Sequence, residues 1–156
     1  MKVVLTSELG QLSKHLRMVG VDTLWNEEAS IEETQTLARD DGRVWITSHP
    51  EPTLTQDGIQ TLHLKSQGFG SQLVEILKHF GSLETLSSGK GFFSLCLQCN
   101  HPLLPVAGHQ ILERIGKDML LENTEFFFCS YCERVYPKGA YYHQMRNWVG
   151  SLLKSQ

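Results

Sequence analysis

The sequence lacks the features that would assign it to a membrane or to a secretory pathway. No apolar run in its 156 residues approaches the ~20 residues that span a bilayer. The opening MKVVLTSELG holds an apolar stretch of only three residues, which is too short for a signal peptide. We therefore expect an intracellular protein, cytoplasmic or nuclear, with no membrane association.

An excess of positive charge is also missing. The net charge is −3, and it is unevenly distributed: residues 1–89 hold 7 Lys/Arg against 12 Asp/Glu, whereas residues 90–156 hold 7 against 5. The second part of the chain is mildly basic, far short of the basic stripe that is typical of strong nucleic-acid binding. Charge alone is a weak indication of nucleic-acid contact, and an ordinary mixed surface explains it as well.

Cysteine is absent outside two Cys-x-x-Cys pairs, Cys96/Cys99 and Cys129/Cys132. Two residues between thiolates let one short turn aim both sulfurs at one ion, and two such turns complete a closed tetrahedral zinc site. Two disulfides are an alternative, disfavoured because such bonds belong to oxidising compartments. A thioredoxin-like redox site would need one pair near a βαβ unit, not two. The four cysteines are therefore predicted ligands of a structural Zn²⁺.

Hydrophobic periodicity predicts strands that alternate with helices in the first part of the chain. The expected strands cover residues 3–5, 21–25, 44–47 and 59–64. Helices are expected to begin near Glu8, at Ser30, where Ser30 and Glu33 form a capping-box pattern, and at Ser71. This order predicts an α/β fold with a parallel sheet, whose functional groups lie at the carboxyl ends of the strands.

The second part of the chain has a different pattern. Residues 81–91, GSLETLSSGKG, are rich in Gly and Ser and predict a linker. The expected division is a domain over residues 1–85 and a second one over residues 92–156. The second domain is expected to contain a β-hairpin through Cys129 and Cys132 and a terminal helix from Gly139 onward.

Five segments have a recognisable sequence. The first is a helix with a Leu-Arg-x-x-Gly-x-Asp ending (Leu16, Arg17, Gly20 and Asp22). The others are residues 38–47, 77–80, 93–99 and 127–139. In this order and spacing they resemble the mut-7 C-terminal domain family, which pairs a PIN-like ribonuclease fold with a zinc ribbon. The sequence of residues 14–22 is most similar to that of animal mut-7 exonuclease homologues, in which this module follows a separate 3′–5′ exonuclease domain. The resemblance implies a PIN-like α/β domain followed by a four-cysteine zinc ribbon with a C-terminal helix.

The resemblance also implies where catalytic carboxylates should lie. PIN-like nucleases hold Mg²⁺ or Mn²⁺ with several carboxylates at strand ends. The family's first Asp corresponds to Thr6 and the Asp of its Thr-Arg-Asp segment to His49, so both expected charges are replaced. Glu8 is nearby, but on a helix it would point elsewhere. Four other acids could line the pocket or lie in solvent: Glu27, Glu28, Glu32 and Asp57.

Basic and aromatic residues offer another function, the binding of single-stranded RNA by phosphate contacts and base stacking. The predicted RNA-binding residues are Lys14, Arg17, Lys138, Tyr141 and Arg146. Lys14 and Arg17 are expected to share one exposed side of a helix.

We therefore expect an RNA-binding, catalytically degenerate ribonuclease-like domain in RNA processing or small-RNA pathways. An exonuclease domain or another RNA-processing protein is the expected protein partner. Three alternatives stay open: an active metal-dependent ribonuclease with Mg²⁺ or Mn²⁺, a metal-free nuclease based on His49, and a protein-interaction module that binds no nucleic acid.

Overall fold

The first part of the chain folds into a parallel β-sheet with helices packed on it. The structure is a computed structural model that describes residues 1–50 and 58–154. Its strands here are β1 (Lys2–Leu5), β2 (Asp22–Leu24), β3 (Val44–Thr47) and β4 (Thr61–His63). Its helices are α1 (Gly10–Met18), α2 (Ile31–Asp40), α3 (Phe69–Phe80) and α4 (Leu83–Ser87), with a 3₁₀ turn at Ser7–Leu9 before α1.

The strands lie in the order β2-β1-β3-β4, and each neighbouring pair is parallel. Successive residues of a strand point to opposite faces, and both faces of this sheet are covered. Val3 and Leu5 pack in a cluster with residues of α1 and α3, whereas Val4 and Trp45 pack with residues of α2. The predicted α/β fold class with a parallel sheet flanked by helices is confirmed.

The helix starts follow local chemistry. Ser30 and Glu33 form the predicted capping box: Glu33 N donates to Ser30 Oγ (3.2 Å) and Ser30 N donates to Glu33 Oε2 (2.7 Å). The third helix begins at Phe69 rather than at Ser71, because Gly68, at φ +78°, already serves as its N-cap. The sequence also indicates a Pro-rich loop over residues 49–52, after the third strand, but residues 51–57 lie outside the described part of the chain.

The segment expected to be a linker is instead partly helical. Within residues 81–91, Ser82 accepts a hydrogen bond from the backbone of Thr85 (3.3 Å) and caps α4. Leu86 is 0% exposed and packs in the same core cluster as β1 and α3. The linker prediction was wrong because this Gly- and Ser-rich segment also carries Leu83 and Leu86, which pack against the core. The division into two domains stays a prediction.

The second part of the chain contains a small antiparallel sheet and the long terminal helix. Its strands are β5 (Leu104–Ala107), β6 (Glu125–Phe128) and β7 (Val135–Pro137), paired in that order. Its helices are α5 (Lys117–Glu122) and α6 (Ala140–Lys154). The β6–β7 hairpin and the terminal helix confirm the predicted ribbon architecture.

Helix α6 connects the ribbon to the first part of the chain. Val149, with Trp148 and Leu152 beside it, packs against the core cluster of the parallel sheet, whereas Tyr142 packs in the ribbon's own cluster around the cysteines. Tyr141, in the first turn of this helix, is 56% exposed. Among the described residues, no helix is long and apolar enough to cross a bilayer.

Candidate functional site

The carboxyl ends of β1 and β3 lie side by side, where the strand order of the sheet reverses. In open α/β sheets, ligands bind in the crevice at this point. Thr6 follows β1 directly, and Ser48 and His49 follow β3. The hydroxyl oxygens of Thr6 and Thr47 are 3.2 Å apart. The fold thus brings together the two positions at which the resemblance implies catalytic carboxylates.

Glu8 lies at the centre of this edge, which the sequence did not predict. The 3₁₀ turn at Ser7–Leu9 keeps its carboxylate over the strand ends, where the expected helix start would have turned it away. Glu8 Oε1 accepts hydrogen bonds from Thr6 Oγ1 (2.6 Å), Ser48 N (3.1 Å) and Ser48 Oγ (2.9 Å). Its other oxygen, Oε2, lies 3.1 Å from His49 Nε2.

These contacts decide the charge of Glu8. Partial burial raises the pKa of this carboxyl group, but the hydrogen bonds from Thr6 and Ser48 outweigh the burial and hold the pKa below its ordinary value. Glu8 is therefore ionised near neutral pH, and its negative charge is already balanced by donors of the chain itself.

The same edge holds two histidines. The backbone N–H of His49 donates to Thr47 Oγ1 (3.1 Å), and the His49 carbonyl oxygen lies 3.2 Å from His63 Nδ1. The His49 ring is 41% exposed, and its contact with Glu8 fixes its orientation at the mouth of the crevice. A carboxylate that orients a histidine is an arrangement found in proton-transfer sites.

The residues at this edge do not fit a hard divalent cation. Mg²⁺ and Mn²⁺ require several oxygen ligands, commonly two or more carboxylates, and Glu8 contributes one that is engaged elsewhere. Glu27, Glu28 and Glu32 are exposed side chains, and Asp57 lies outside the described residues. Within residues 1–50 and 58–154, the cysteine group described next is the one cluster of three or more metal-ligating side chains.

The four cysteines meet in the ribbon. Their sulfur atoms all lie within 4.8 Å of one another, with Cys96 to Cys132 and Cys99 to Cys129 each at 3.5 Å. Sulfurs around a tetrahedral zinc with bonds of ~2.3 Å are separated by about 3.8 Å, so the cluster can hold one metal ion of that geometry. All four are free thiols rather than disulfides.

The two Cys-x-x-Cys turns, which we call the first and second knuckles, have the same backbone geometry. Cys96 N donates to His101 O (2.7 Å) and Cys129 N to Arg134 O (2.9 Å). The residue after each pair has a left-handed backbone, with Asn100 at φ +64° and Glu133 at φ +59°. Each turn therefore closes on itself and presents its two sulfurs in one direction.

Burial and hydrogen bonding give the thiols different pKa values. Burial raises the pKa of Cys99 to about 12 and raises that of Cys132 as well. Burial acts in the same sense on Cys96, but hydrogen bonds from the Tyr136 hydroxyl and from the backbone of Cys99 and Gln98 lower the pKa of this thiol to about 7. A metal ion must displace the protons that remain, so its binding is pH-dependent.

Arg17 is not the exposed cation that the sequence predicted. Its side chain is 4% exposed, because α1 turns it toward the first knuckle rather than to the side of Lys14. Its Nε donates to Thr23 O (3.0 Å), and its Nη1 donates to Leu97 O and Gln98 O (2.9 Å each). With these donors engaged inside the fold, Arg17 offers no surface for RNA.

The other predicted RNA-binding residues lie at the surface in different settings. Lys14 and Arg146 are exposed, and Tyr141 projects from the first turn of α6. Lys138 is half-buried, and its Nζ lies 3.0 Å from Glu125 Oε2, which offsets much of its charge. Lys138 and Tyr141 line a common groove of about 590 Å³.

The sequence reasoning missed one aromatic pair. Tyr131, inside the second knuckle, stacks on His101, next to the first, with ring centroids 3.7 Å apart and ring planes within 5°. Both side chains are exposed, Tyr131 by 69%. An aromatic residue between the two cysteines of a Cys-x-x-Cys pair was the available signal.

The sequence matches the family model described as Mut7-C RNAse domain over residues 1–149. A comparison with curated proteins finds no significant match, and a comparison with solved structures finds none either. The family match spans both the strand-end crevice and the four cysteines. The chain therefore belongs to the Mut7-C RNAse domain family and is a ribonuclease-like domain.

Proposed function

We propose that this protein binds single-stranded RNA and that its strand-end crevice no longer supports metal-dependent cleavage. The observation that carries the proposal is Glu8: among the described residues it is the carboxylate that lies at the expected catalytic edge, and it is held by Thr6, Ser48 and His49. A cation binding there would have to replace these donors, and residues 1–50 and 58–154 place no group of three or more metal-ligating side chains at this edge. Mg²⁺ or Mn²⁺ is a cofactor only in the alternative that the domain is an active ribonuclease.

RNA binding is supported by the family and by the surface. Ribonucleases bind RNA as their substrate. Replacement of the catalytic carboxylates does not by itself remove the other side chains that contact the RNA. Exposed rings stack on unpaired bases, each worth about 1–3 kcal/mol, and cations contact phosphates. Tyr141 and Arg146 on α6, Lys14 on α1 and the Tyr131–His101 pair are the groups of these kinds that we assign to RNA.

The ion in the cysteine cluster is, in this proposal, one structural zinc per chain. Four thiolates in a closed tetrahedral set are the ligands of structural zinc sites and leave no open position for a substrate. The zinc would hold the two knuckles and the three-stranded sheet together without taking part in a reaction.

The cellular setting follows from the resemblance alone. We propose an intracellular role, cytoplasmic or nuclear, in RNA processing or a small-RNA pathway. An exonuclease domain or another RNA-processing protein would supply the cleavage that this domain lacks.

A cleavage assay distinguishes a catalytically degenerate domain from an active ribonuclease. We expect a labelled single-stranded RNA to stay intact with the zinc-loaded protein, both with Mn²⁺ and without it. Cleavage that requires Mn²⁺ and disappears in Glu8→Ala would contradict the proposal. Cleavage without added Mn²⁺ that disappears in His49→Ala would favour the metal-free alternative.

A binding assay separates RNA binding from a module that contacts only protein. Phosphate-driven affinity must weaken steeply as salt rises, because counterions are released. We expect Tyr141→Ala to weaken binding roughly 5- to 100-fold, with Tyr141→Phe retaining most of the affinity. Arg146→Gln should lower the salt dependence, whereas Lys2→Gln, at the amino end of β1 and opposite the crevice, should not. No binding at low salt would favour the protein-interaction alternative.

A further inference from the structure

Arg17, on helix α1, donates hydrogen bonds to the backbone of the first knuckle. Arg17 Nη1 donates to Leu97 O and to Gln98 O, both at 2.9 Å, and these are the two residues between Cys96 and Cys99. Arg17 Nε is tied to β2 through Thr23 O at 3.0 Å. The guanidinium thus connects α1, β2 and the turn that carries two of the four sulfurs.

We infer that Arg17 is a positioning residue for the zinc ion: it orients the peptide groups that hydrogen-bond to the Cys96 sulfur and supplies positive charge behind the four thiolates. The inference rests on the proposed assignment of zinc to the cysteine cluster. It gives the arginine of the Leu-Arg-x-x-Gly-x-Asp pattern a role in metal binding instead of RNA binding.

The geometry of the peptide bond explains the orienting effect. In a planar trans peptide, the carbonyl of one residue and the N–H of the next point in opposite directions. The carbonyls of Leu97 and Gln98 share their peptide units with the N–H groups of Gln98 and Cys99. Since Arg17 holds both carbonyls, it turns both N–H groups away from itself, and these are the backbone donors that reach the Cys96 sulfur.

Charge gives the second effect. Zn²⁺ with four thiolates carries a net charge of about −2, which a largely buried site must offset. The Arg17 guanidinium interacts electrostatically with the Cys96 and Cys99 sulfurs. Lysine could supply the charge, but its ammonium group could not reproduce the planar fork that serves Thr23 and the two knuckle carbonyls together.

A second anchor lies at the other end of the knuckle. Asn100, directly after Cys99, accepts from Thr23 N through Oδ1 (3.0 Å) and donates to Asp22 Oδ1 through Nδ2 (2.8 Å). Asp22 also pairs with Arg43 (2.8 Å). Zinc binding and the stability of α1 and β2 are therefore linked, and linkage between two equilibria works in both directions.

The test measures zinc affinity by competition with a chelator, using the full chain. Loss of a partner of this kind typically lowers metal affinity 10- to 100-fold, and we expect this for Arg17→Met, with Arg17→Lys in between. Arg134→Met, which removes an exposed arginine of the second knuckle, is the matched control and should leave the affinity unchanged. Equal affinities of Arg17→Met and the wild type would overturn the inference while leaving the zinc assignment intact.

A Co²⁺-loaded protein tests positioning apart from stability. If Arg17 only stabilises the fold, Arg17→Met should bind less Co²⁺ with an unchanged thiolate-to-cobalt spectrum. If it sets the N–H···S bonds, the thiolate-to-cobalt band should shift in Arg17→Met. An unchanged band at full cobalt loading would contradict the orienting role.

Two further measurements decide the matter if Arg17→Met does not fold. Glycine adopts φ +64° without strain, so Asn100→Gly removes the side-chain anchor and leaves the backbone unchanged. We expect it also to lower the zinc affinity. In the wild type, zinc removal should reduce amide hydrogen-exchange protection in α1 and β2 as well as in the ribbon. Loss of protection confined to the ribbon would overturn the linkage, and a wild-type protein that binds no zinc would overturn both this inference and the assignment on which it rests.

Discussion

Replacing Glu8 by glutamine tests the strand-end site with almost no change of shape. The glutamine can keep one carbonyl oxygen where Glu8 Oε1 accepts from Thr6 Oγ1, Ser48 N and Ser48 Oγ. It loses the negative charge and faces His49 with an amide instead of an oxygen. Three charge-assisted hydrogen bonds become neutral ones, and the contact at 3.1 Å to His49 Nε2 is lost.

The expected cost can be worked out from these contacts. A hydrogen bond to a charged group contributes about 1.5–3 kcal/mol and a neutral one about 1 kcal/mol, so three conversions could cost ~1.5–6 kcal/mol if fully buried. Because the Glu8 side chain is 31% exposed, solvent screening reduces this, and we expect a loss of ~1.5 kcal/mol. For a chain of this size that lowers the Tm by roughly 3–6 °C.

The pH dependence gives a sharper signature. The pKa of Glu8 is lower in the folded protein than in the unfolded chain, so its contribution is fully present above the unfolded value of ~4.3. It is lost as the pH falls through the folded value, because the protonated carboxyl keeps only neutral hydrogen bonds to these donors, as glutamine does. The difference in free energy of unfolding between wild type and Glu8→Gln should therefore be present at pH 5 and shrink in acid.

Urea unfolding at a series of pH values measures this difference. Glu113→Gln, which removes an exposed acid of the ribbon, is the control and should change the stability by less than ~0.5 kcal/mol. A Glu8→Gln protein as stable as the wild type would refute the hydrogen-bonded cluster. A rise in wild-type Tm on adding Mn²⁺ that Glu8→Gln abolishes would refute the absence of a cation site.

Three other substitutions test other parts of the fold. Cys129→Ser, at a fully buried ligand position, should abolish stoichiometric zinc and the near-UV signal of the ribbon; retention of one zinc per chain would contradict the four-thiolate site. Leu86→Ala should cost ~2–4 kcal/mol in denaturant unfolding, as for other core leucines, whereas a true linker position would cost under ~0.5 kcal/mol. Gly20→Ala should lower thermal stability by more than ~1 kcal/mol, since Gly20 lies at φ +87° and a Cβ would come 2.8 Å from Lys90 O; an unchanged melting temperature would argue against that close approach.

Local signals in the sequence predicted most of the elements in the first part of the chain. Apolar runs bounded by polar residues marked the four strands, and Ser30 with Glu33 marked the start of a helix, because both signals act over a few neighbouring residues. The two Cys-x-x-Cys pairs likewise predicted a metal cluster, since the spacing itself determines which way two sulfurs point. Where the pattern was weaker, as at Gly68 and Ser71, the helix boundary moved by two residues.

Long-range contacts explain what the sequence did not predict. Arg17 was assigned to the surface because helical spacing relates it to Lys14, but the acceptors that bury it are Leu97 and Gln98, 80 and 81 residues away. Glu8 was expected to turn away because the 3₁₀ turn before α1 was not foreseen. Its partner Ser48 comes 40 residues later, and only the pairing of β1 with β3 makes them neighbours.

The sequence by itself determined the alternation of strands and helices, the cysteine cluster and the family, because each of these depends on residue type at short spacing. The tertiary structure decided what the charged residues do. The strand order placed Glu8 among hydrogen-bond donors. The packing of the first knuckle against β2 buried Arg17, which was a candidate RNA contact, against the turn that carries Cys96 and Cys99. The function of a charged side chain depends on its burial and on its hydrogen-bond partners. Both are supplied by segments that lie far apart in the sequence.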